Sequence, residues 1–252
     1  SYFLNYNSEA EELKKLIRVV GDLERLISKV SLERANPREM IQLKRALDTI
    51  PGLKQILSSS KNDILQKVSD RLNPTQTFSE KIGKEIWEEA GPVISKGNFI
   101  RSEVNLDLDD LSAIKNSGKE YIAGIQQKEI MRTGIHSLKV GFNSVFGYFL
   151  EVTNSHKTKV PSDWIRKQTL TNAERYITEE LKEYEAKVLG AEEKIQALEE
   201  KIFAELIQFA KDYVQAVQQN AVLIASVDCL LSLAEAASKN NYVKPELNDL
   251  YA

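Results

Sequence analysis

Two segments decide how this chain folds: residues 139–152 read KVGFNSVFGYFLEV, and residues 164–176 read WIRKQTLTNAERY. Both are rich in the aromatic and β-branched residues that favour strands. The sequence on either side is charged and carries apolar residues at helical spacing. An island of β structure inserted among helices is therefore predicted, and this island is where function should be sought.

Within the island, apolar and polar residues alternate from Leu138 to Asn143, which is the period of a half-buried strand. Phe146-Gly147 predicts a turn and Tyr148 to Val152 a second strand, so the two runs should form a hairpin. A polar loop from Asn154 to Pro161 then leads to a third predicted strand at Ile165 to Leu170. The expected result is a small antiparallel sheet.

The residues before the island predict a helical bundle with short connections. Ser8 and Glu11 have the spacing of a capping box at the start of a first helix. The segment from Asn36 to Glu39 is another start signal, and the helix that it opens should stop at Pro51-Gly52. Two shorter helices should follow, at residues 64–72 and 78–89.

Two long helices should flank the island. Asp107 is the predicted N-cap of the first, which carries apolar residues at alternating spacings of three and four up to Ile125. The second keeps this rhythm from Leu181 to Ile202, a pattern typical of left-handed helix packing. Because the two helices enter and leave one compact island, they should run antiparallel. A further apolar helix, from about Ala210 to Ser238, is expected to be buried in the bundle.

These patterns define the fold class as mainly α: a helical bundle with long antiparallel helices leading to a small inserted antiparallel β-rich domain. Three segments follow from them. Residues 1–105 form the first part of the bundle, residues 106–177 the descending helix with the small sheet, and residues 178–252 the returning helix with the second part of the bundle.

Charge is unevenly distributed along the chain. The net charge is −3, but residues 132–175 hold seven Lys/Arg against three Asp/Glu, so this segment carries +4 and the remainder −7. Basic residues interleaved with amides and hydroxyls suit the phosphates of a nucleic acid. The same lysines could instead form a solvated rim that discourages association of sheet edges. The residues alone leave both interpretations open.

Several classes of protein find no support in the sequence. Cys229 is the only cysteine, and His136 and His156 lack the partners of a metal site, so no metal is expected and the cytoplasm is the predicted location. We find no catalytic triad, no HExxH and no complete phosphate loop, and hence predict no catalytic residues. No membrane is expected, because neither a signal peptide nor an unbroken apolar run of about 18 residues occurs. The start without Met, within a polar segment, suggests a piece of a longer protein.

Four colinear stretches resemble the MutS family of DNA mismatch-repair proteins. They are VGDLERLI (20–27), LKVGFNSVFGYFLEV (138–152), RKQTLTNAERYITEELKEYEAK (166–187) and NYVKPELNDL (241–250). Because they extend over nearly the whole chain in the family's order, the resemblance is specific.

The resemblance implies a helical lever, residues 1–105 and 178–252, interrupted by a β-rich clamp, residues 106–177. In the family, the clamps of two subunits close around duplex DNA and contact its backbone without reading sequence, while the lever relays the nucleotide state. The charge pattern and the resemblance together give the candidate DNA-backbone contacts: Asn143, Lys157, Lys159, Arg166, Lys167, Gln168, Thr169 and Asn172.

The resemblance also implies what a parent protein would add. The family's mismatch-reading domain with its Phe-x-Glu motif and its Walker-type ATPase domain have no counterpart in this sequence, so a non-catalytic fragment without cofactors is expected. ATP and Mg are cofactors expected of the parent, and its expected partners are double-stranded DNA, the second subunit of a homodimer and a MutL-like protein. The alternative is a structural coiled-coil arm that binds another protein and has no DNA binding of its own.

Overall fold

The computed structural model describes residues 2–143, 145 and 147–243, and it is mainly α-helical with one small antiparallel sheet, as predicted. The chain forms two compact units: unit 1 comprises Ser1–Arg101 and Glu200–Ala252, and unit 2 comprises Ser102–Glu199. The predictions that concern Phe146 and residues 244–252, including most of the NYVKPELNDL stretch, lie outside the described residues.

Unit 1 consists of amphipathic helices whose apolar stripes meet in a common core. Met40, Leu43, Leu47 and Ile50, which the spacing placed together, are all fully buried. With the last turns of α9 (Glu179–Lys211), the helices of unit 1 are α1 (Tyr2–Asn5), α2 (Asn7–Val20), α3 (Leu23–Ser31), α4 (Pro37–Asp48), α5 (Ile50–Ser59), α6 (Asp63–Arg71), α7 (Gln76–Glu85) and α10 (Val214–Lys239).

The helix start predicted at Asn36 is confirmed and proves to be a capping box, whereas the capping box predicted at Ser8 is wrong. Asn36 accepts a hydrogen bond from the Glu39 amide at 3.0 Å, and Glu39 accepts one from the Asn36 amide at 3.2 Å. Ser8 instead lies inside α2, whose N-cap is Tyr6. The Tyr2 ring stacks on Tyr6 at 4.5 Å, and this contact accompanies an earlier start of the helix than the Ser8 signal predicts.

Pro51 begins a helix instead of ending one, which corrects the prediction of a stop at Pro51-Gly52. Helix α4 ends at Asp48, and α5 starts at Ile50 with Pro51 in its first turn. Proline fits there because the first-turn amides of a helix have no partner within the helix. Thr49 makes the junction, its hydroxyl donating to the Ala46 carbonyl at 2.7 Å.

Removing the confirmed cap should cost stability. We expect Asn36→Ala to lower the free energy of unfolding by about 1 kcal/mol, because the Glu39 amide loses its side-chain acceptor. Ser8→Ala is the matched control and should cause no loss, since Ser8 caps nothing. Urea unfolding followed by circular dichroism measures both, and an equal loss in the two variants would contradict this role of Asn36.

Helix α10 is less buried than expected. It packs on α1, α2 and α3 through a stripe that includes Val217, Ile224 and Leu231, while Val222 and Leu233 are 63% and 67% exposed. By length and apolar composition alone, α10 could also cross a membrane. Helix α10 therefore has more apolar residues than its one buried stripe contains.

Unit 2 is a four-stranded sheet between two long helices. Every pair of neighbouring strands is antiparallel, and the strand order is β1-β2-β4-β3. The elements are α8 (Leu106–Thr133), β1 (Lys139–Asn143), β2 (Gly147–Thr153), β3 (Ile165–Thr169), β4 (Ala173–Ile177) and the first part of α9. The hairpin and the third strand are confirmed, whereas β4, which lies between β2 and β3, was not predicted.

One face of the sheet forms the core of unit 2. Leu150 and Tyr176, which face each other on β2 and β4, pack with Trp164, Ile125 and Leu181. Gly147 opens β2 at φ = 78°, a backbone conformation that strains any residue with a Cβ, and a Cβ there would also displace the Glu185 carboxylate.

The two long helices run antiparallel, as predicted. Lys115 pairs with Glu192 at 3.2 Å and Lys128 with Glu180 at 2.7 Å, so residue numbers rise on one helix as they fall on the other. The N-cap of α8 is Asn105, whose side chain accepts from the Leu108 amide at 3.0 Å, and not Asp107 as predicted. Asn and Asp can both cap a helix N-terminus, but α8 starts at Leu106 and Asp107 therefore lies in its first turn. A negative charge in the first turn stabilises the helix through its dipole.

Candidate nucleic-acid interface

Strand β3 forms one edge of the sheet and carries a bulge. Its register with β4 passes from Arg166 opposite Tyr176 to Gln168 opposite Arg175, so Lys167 is the extra residue. A bulge turns side chains away from regular alternation, and lysine at an edge keeps other strands from pairing there. Lys167 is exposed.

Four cations lie in or beside this edge: Lys157 and Lys159 in the 3₁₀ segment Asn154–Lys159, and Arg166 and Lys167 on β3. We call these four residues the cationic corner. The segment Asn154–Lys159 is joined to the β3–β4 turn, because the Asn154 amide donates to the Asn172 carbonyl at 3.1 Å. Residues separated in the sequence are thereby brought together.

Glu174 lies beneath the cationic corner. Its Oε1 is 2.9 Å from Lys157 Nζ and 3.4 Å from Arg166 Nη1, and the Tyr176 hydroxyl donates to its Oε2. The hydrogen bond from Tyr176 and the Lys157 ammonium hold the pKa of Glu174 below its usual value, so the carboxylate is charged at neutral pH. Burial and the bond to Glu174 raise the pKa of Tyr176 to about 12, so the phenol keeps its proton as donor.

The opposite face of the sheet carries a second polar cluster, centred on Arg175. Its guanidinium lies 4.3 Å above the Phe149 ring and donates to Glu151 and to Gln168 Oε1, each at 2.9 Å. Phe149 in turn covers Gly141, where a Cβ would lie 2.7 Å from the ring. Because Oε1 of Gln168 accepts from Arg175, the amide N–H groups of Gln168 remain as donors.

The three acids of residues 132–175 are all engaged by cations of the same segment. Glu151 pairs with Arg175, Glu174 with Lys157 and Arg166, and Asp163 with Arg132 at 2.6 Å. Arg132 also holds the pKa of Asp163 below its usual value. Within the described part of the chain, no ion pair involves Lys139, Lys159 or Lys167. The excess positive charge is therefore left on exposed lysines.

The remaining predicted contacts are divided between the two edges of the sheet. Thr169 and Asn172 are exposed at the β3–β4 turn, next to the cationic corner. Asn143 ends β1, the opposite edge, and its Oδ1 accepts from the Val145 amide at 2.7 Å. Strands lie about 4.8 Å apart, so three spacings put Asn143 about 14 Å from β3. The structure thus groups six of the eight candidates on β3 and its neighbouring segments, leaves Gln168 on the opposite face with Arg175, and places Asn143 at the other edge of the sheet.

Two residues of the site were missed by the sequence reasoning. Glu174 entered only as a charge in a count, and Arg175 only as one of the basic residues of the segment, because β4 was not predicted. The sequence Ala-Glu-Arg-Tyr-Ile at 173–177 does contain a strand signal, because Tyr and Ile favour strands. In such a strand Glu174 and Tyr176 lie on one face, because they are two residues apart.

Unit 2 matches a domain of a known protein family. Residues 103–194 match MutS family domain IV, a span that coincides closely with unit 2 at Ser102–Glu199. The class defined by the fold and the site is therefore a MutS clamp-type domain: a small sheet carried by two antiparallel helices.

Relatives extend the match over the whole chain. The protein of Flavobacterium psychrophilum named DNA mismatch repair protein MutS is 48% identical over 100% of this chain and 29% of its own length. The proteins of the same name from Parabacteroides distasonis and Cytophaga hutchinsonii are 50% and 52% identical, over 98% and 92% of this chain and 28% and 27% of their own lengths. The chain belongs to the MutS family, and it spans less than a third of the length of these relatives.

Proposed function

We propose that this chain holds duplex DNA by its backbone, without sequence specificity, through the cationic corner of unit 2. The helices of unit 1 act as a lever that couples this hold to an ATPase domain of the parent protein. The proposal is a binding role, and the chain itself carries out no chemistry in it.

The distribution of ion pairs is the observation that carries the proposal. If the basic residues were only a solvated rim, pairing with the three local acids could occur anywhere along the segment. Instead the acids occupy Arg132, Arg175 and the Lys157–Arg166 pair. Of the three exposed lysines that remain, Lys159 and Lys167 lie beside that pair and Lys139 lies on β1 at the other edge. Exposed cations grouped at one edge suit phosphate contacts, which supply affinity and carry no sequence information.

Neighbouring neutral donors support the same function. Gln168 has amide N–H groups left over from its bond to Arg175, and Thr169 and Asn172 are exposed. Amides and hydroxyls of this kind donate to phosphate oxygens and fix the position of a protein on a duplex. No base-reading element is needed for this mode of binding.

Sequence independence provides the test of this function. We expect the chain to bind two labelled duplexes of equal length and unrelated sequence with affinities that agree within about twofold at 0.05 M NaCl, because phosphate contacts do not distinguish bases. Fluorescence anisotropy measures both. No binding to either duplex at this salt would refute the proposal, and a large preference for one sequence would refute backbone contact as its basis.

The wider role rests on the relatives, which are named DNA mismatch repair protein MutS. We infer that the parent acts in mismatch repair in the cytoplasm, as a homodimer that binds ATP and Mg and works with a MutL-like protein. The lever role of unit 1 belongs to this inference.

A second candidate function is a structural arm that binds a protein. Ile114 and Tyr121, seven residues apart on α8, are about half exposed, although Tyr121 also stacks on Tyr184 of α9 in the predicted seam, with the ring centroids 4.8 Å apart. An exposed stripe on a long helix suits a further helix. Sedimentation of the chain discriminates: this function predicts self-association or partner capture without DNA binding, and a monomer that binds duplex excludes it as the main role.

A further inference from the structure

We propose that Glu174 is a positioning residue for DNA binding: its buried carboxylate holds Lys157 and Arg166 side by side as a preformed pair of phosphate donors. This inference rests on the proposed function, because it explains how that same site is organised. It assigns a binding role to an acidic residue in a site that attracts an anion.

The first observation is that one oxygen serves both cations. Lys157 Nζ and Arg166 Nη1 lie 2.9 and 3.4 Å from the same Oε1, so the two nitrogen atoms are within about 6 Å of each other. Like charges at this distance repel unless an anion lies between them. Glu174 supplies that anion, and the group of three keeps a net charge of +1.

The second observation is the contrast in burial. Glu174 is 4% exposed, whereas the side chains of Lys157 and Arg166 are 40% and 63% exposed. A duplex can therefore reach the cations without contacting the acid. An ammonium has three N–H donors and a guanidinium five, and each side chain uses one of them on Glu174.

The third observation is that Glu174 joins two elements. Lys157 lies in the 3₁₀ segment Asn154–Lys159, Arg166 lies on β3, and Glu174 sits on β4 between β2 and β3. The Tyr176 hydroxyl fixes the other carboxylate oxygen. Glu151 and Asp163, by comparison, are each held by arginine without bridging two exposed cations.

A positioning role and a simple charge effect predict opposite signs. Glu174→Gln raises the net charge by one, which by long-range electrostatics alone should strengthen binding to DNA. If Glu174 positions Lys157 and Arg166, the same change should weaken binding, because the two cations separate and each loses its fixed geometry.

The test compares duplex affinity and its salt dependence among four proteins. We expect Glu174→Gln to weaken binding at 0.05 M NaCl by roughly tenfold and to reduce the slope of log affinity against log salt by about 2, since two phosphate contacts are lost. Tyr176→Phe keeps the ring in the core, removes only the hydroxyl that fixes Glu174, and should give a smaller loss. Glu183→Gln makes the same charge change on the exposed face of α9 and should leave the affinity and the slope unchanged.

A second measurement needs no DNA. Acetylation of Lys157 by a lysine-reactive ester, followed by mass spectrometry, should be faster in Glu174→Gln than in the wild type, because its amine loses its partner, while Lys159 should react equally in both. Affinity that is unchanged or stronger in Glu174→Gln, with an unchanged slope, would overturn the role of Glu174 and leave the proposed function intact. A wild-type chain that binds no duplex would overturn the proposed function instead, and equal Lys157 reactivity would overturn the positioning itself.

Discussion

Raising NaCl from 0.05 to 0.2 M should weaken binding of the wild-type chain to duplex DNA about 150-fold. Each phosphate contact contributes about −0.9 to the slope of log affinity against log salt, so four contacts from the cationic corner give a slope near −3.6. A fourfold rise in salt then produces this loss. Anisotropy titrations at four salt concentrations, with the same labelled duplex, measure the slope.

A slope near zero would contradict phosphate contact as the source of affinity. Potassium glutamate in place of NaCl is a useful control, because glutamate competes less with phosphate for the protein than chloride does. The slope should keep its sign in both salts, since the counterions released belong to the DNA.

Leu150→Ala should lower the free energy of unfolding of unit 2 by about 3 kcal/mol. Leu150 is fully buried on the inner face of β2, and truncation of such a side chain removes buried apolar area and leaves a cavity. Trp164, in the same cluster, reports on this core directly. Urea unfolding followed by tryptophan fluorescence in a Trp87→Phe background isolates that signal, because Trp87 and Trp164 are the only tryptophans.

Phe142→Ala is the matched control for Leu150→Ala. Phe142 is on the neighbouring strand with its ring 61% exposed and only an edge contact to Tyr148 at 5.1 Å, so we expect a loss of less than about 1 kcal/mol. Equal losses in the two variants would mean that the inner face of the sheet is not the core of unit 2.

The elements that the sequence predicted are those with a strong local signal. The hairpin at residues 139–153 alternates clearly, and the Asn36 capping box joins a cap, a proline and a carboxylate within four residues. The rhythm from Leu181 to Ile202 predicted a stripe packed on another helix, and its residues are buried except Leu198, which is half-buried. In each case the residues that identify the element lie within one continuous stretch of sequence.

The elements that were missed depend on contacts distant in sequence. Strand β4 is stabilised by pairing with both β2 and β3, and its buried Glu174 is paired with Lys157 and Arg166, which come from other elements. The start of α2 involves contacts of Tyr2, and the α4–α5 junction involves a hydroxyl bond of Thr49. At such places the local sequence shows a polar residue or a proline, but it does not show the residue that this side chain contacts in the fold.

The candidate site shows the same division. Composition and resemblance identified Lys157, Lys159, Arg166 and Lys167 as candidates, and the fold places two of them on the edge strand β3 and two in the 3₁₀ segment joined to the β3–β4 turn. The position of Glu174 beneath Lys157 and Arg166 could not be inferred from the net charge of the segment, because in that sum Glu174 only lowers the total by one. Whether the eight candidate residues contact phosphate stays a prediction.

The most direct test of the central claim, that the cationic corner holds the DNA backbone, is the salt slope of a charge-reversed chain. In Lys159→Glu with Lys167→Glu, two exposed and unpaired cations are reversed, and the slope should fall from about −3.6 to −1.8 or less in magnitude. Lys67→Glu with Lys201→Glu makes the same charge change on exposed helix positions of unit 1 and should retain the wild-type slope. Equal slopes in the two double variants would contradict the account.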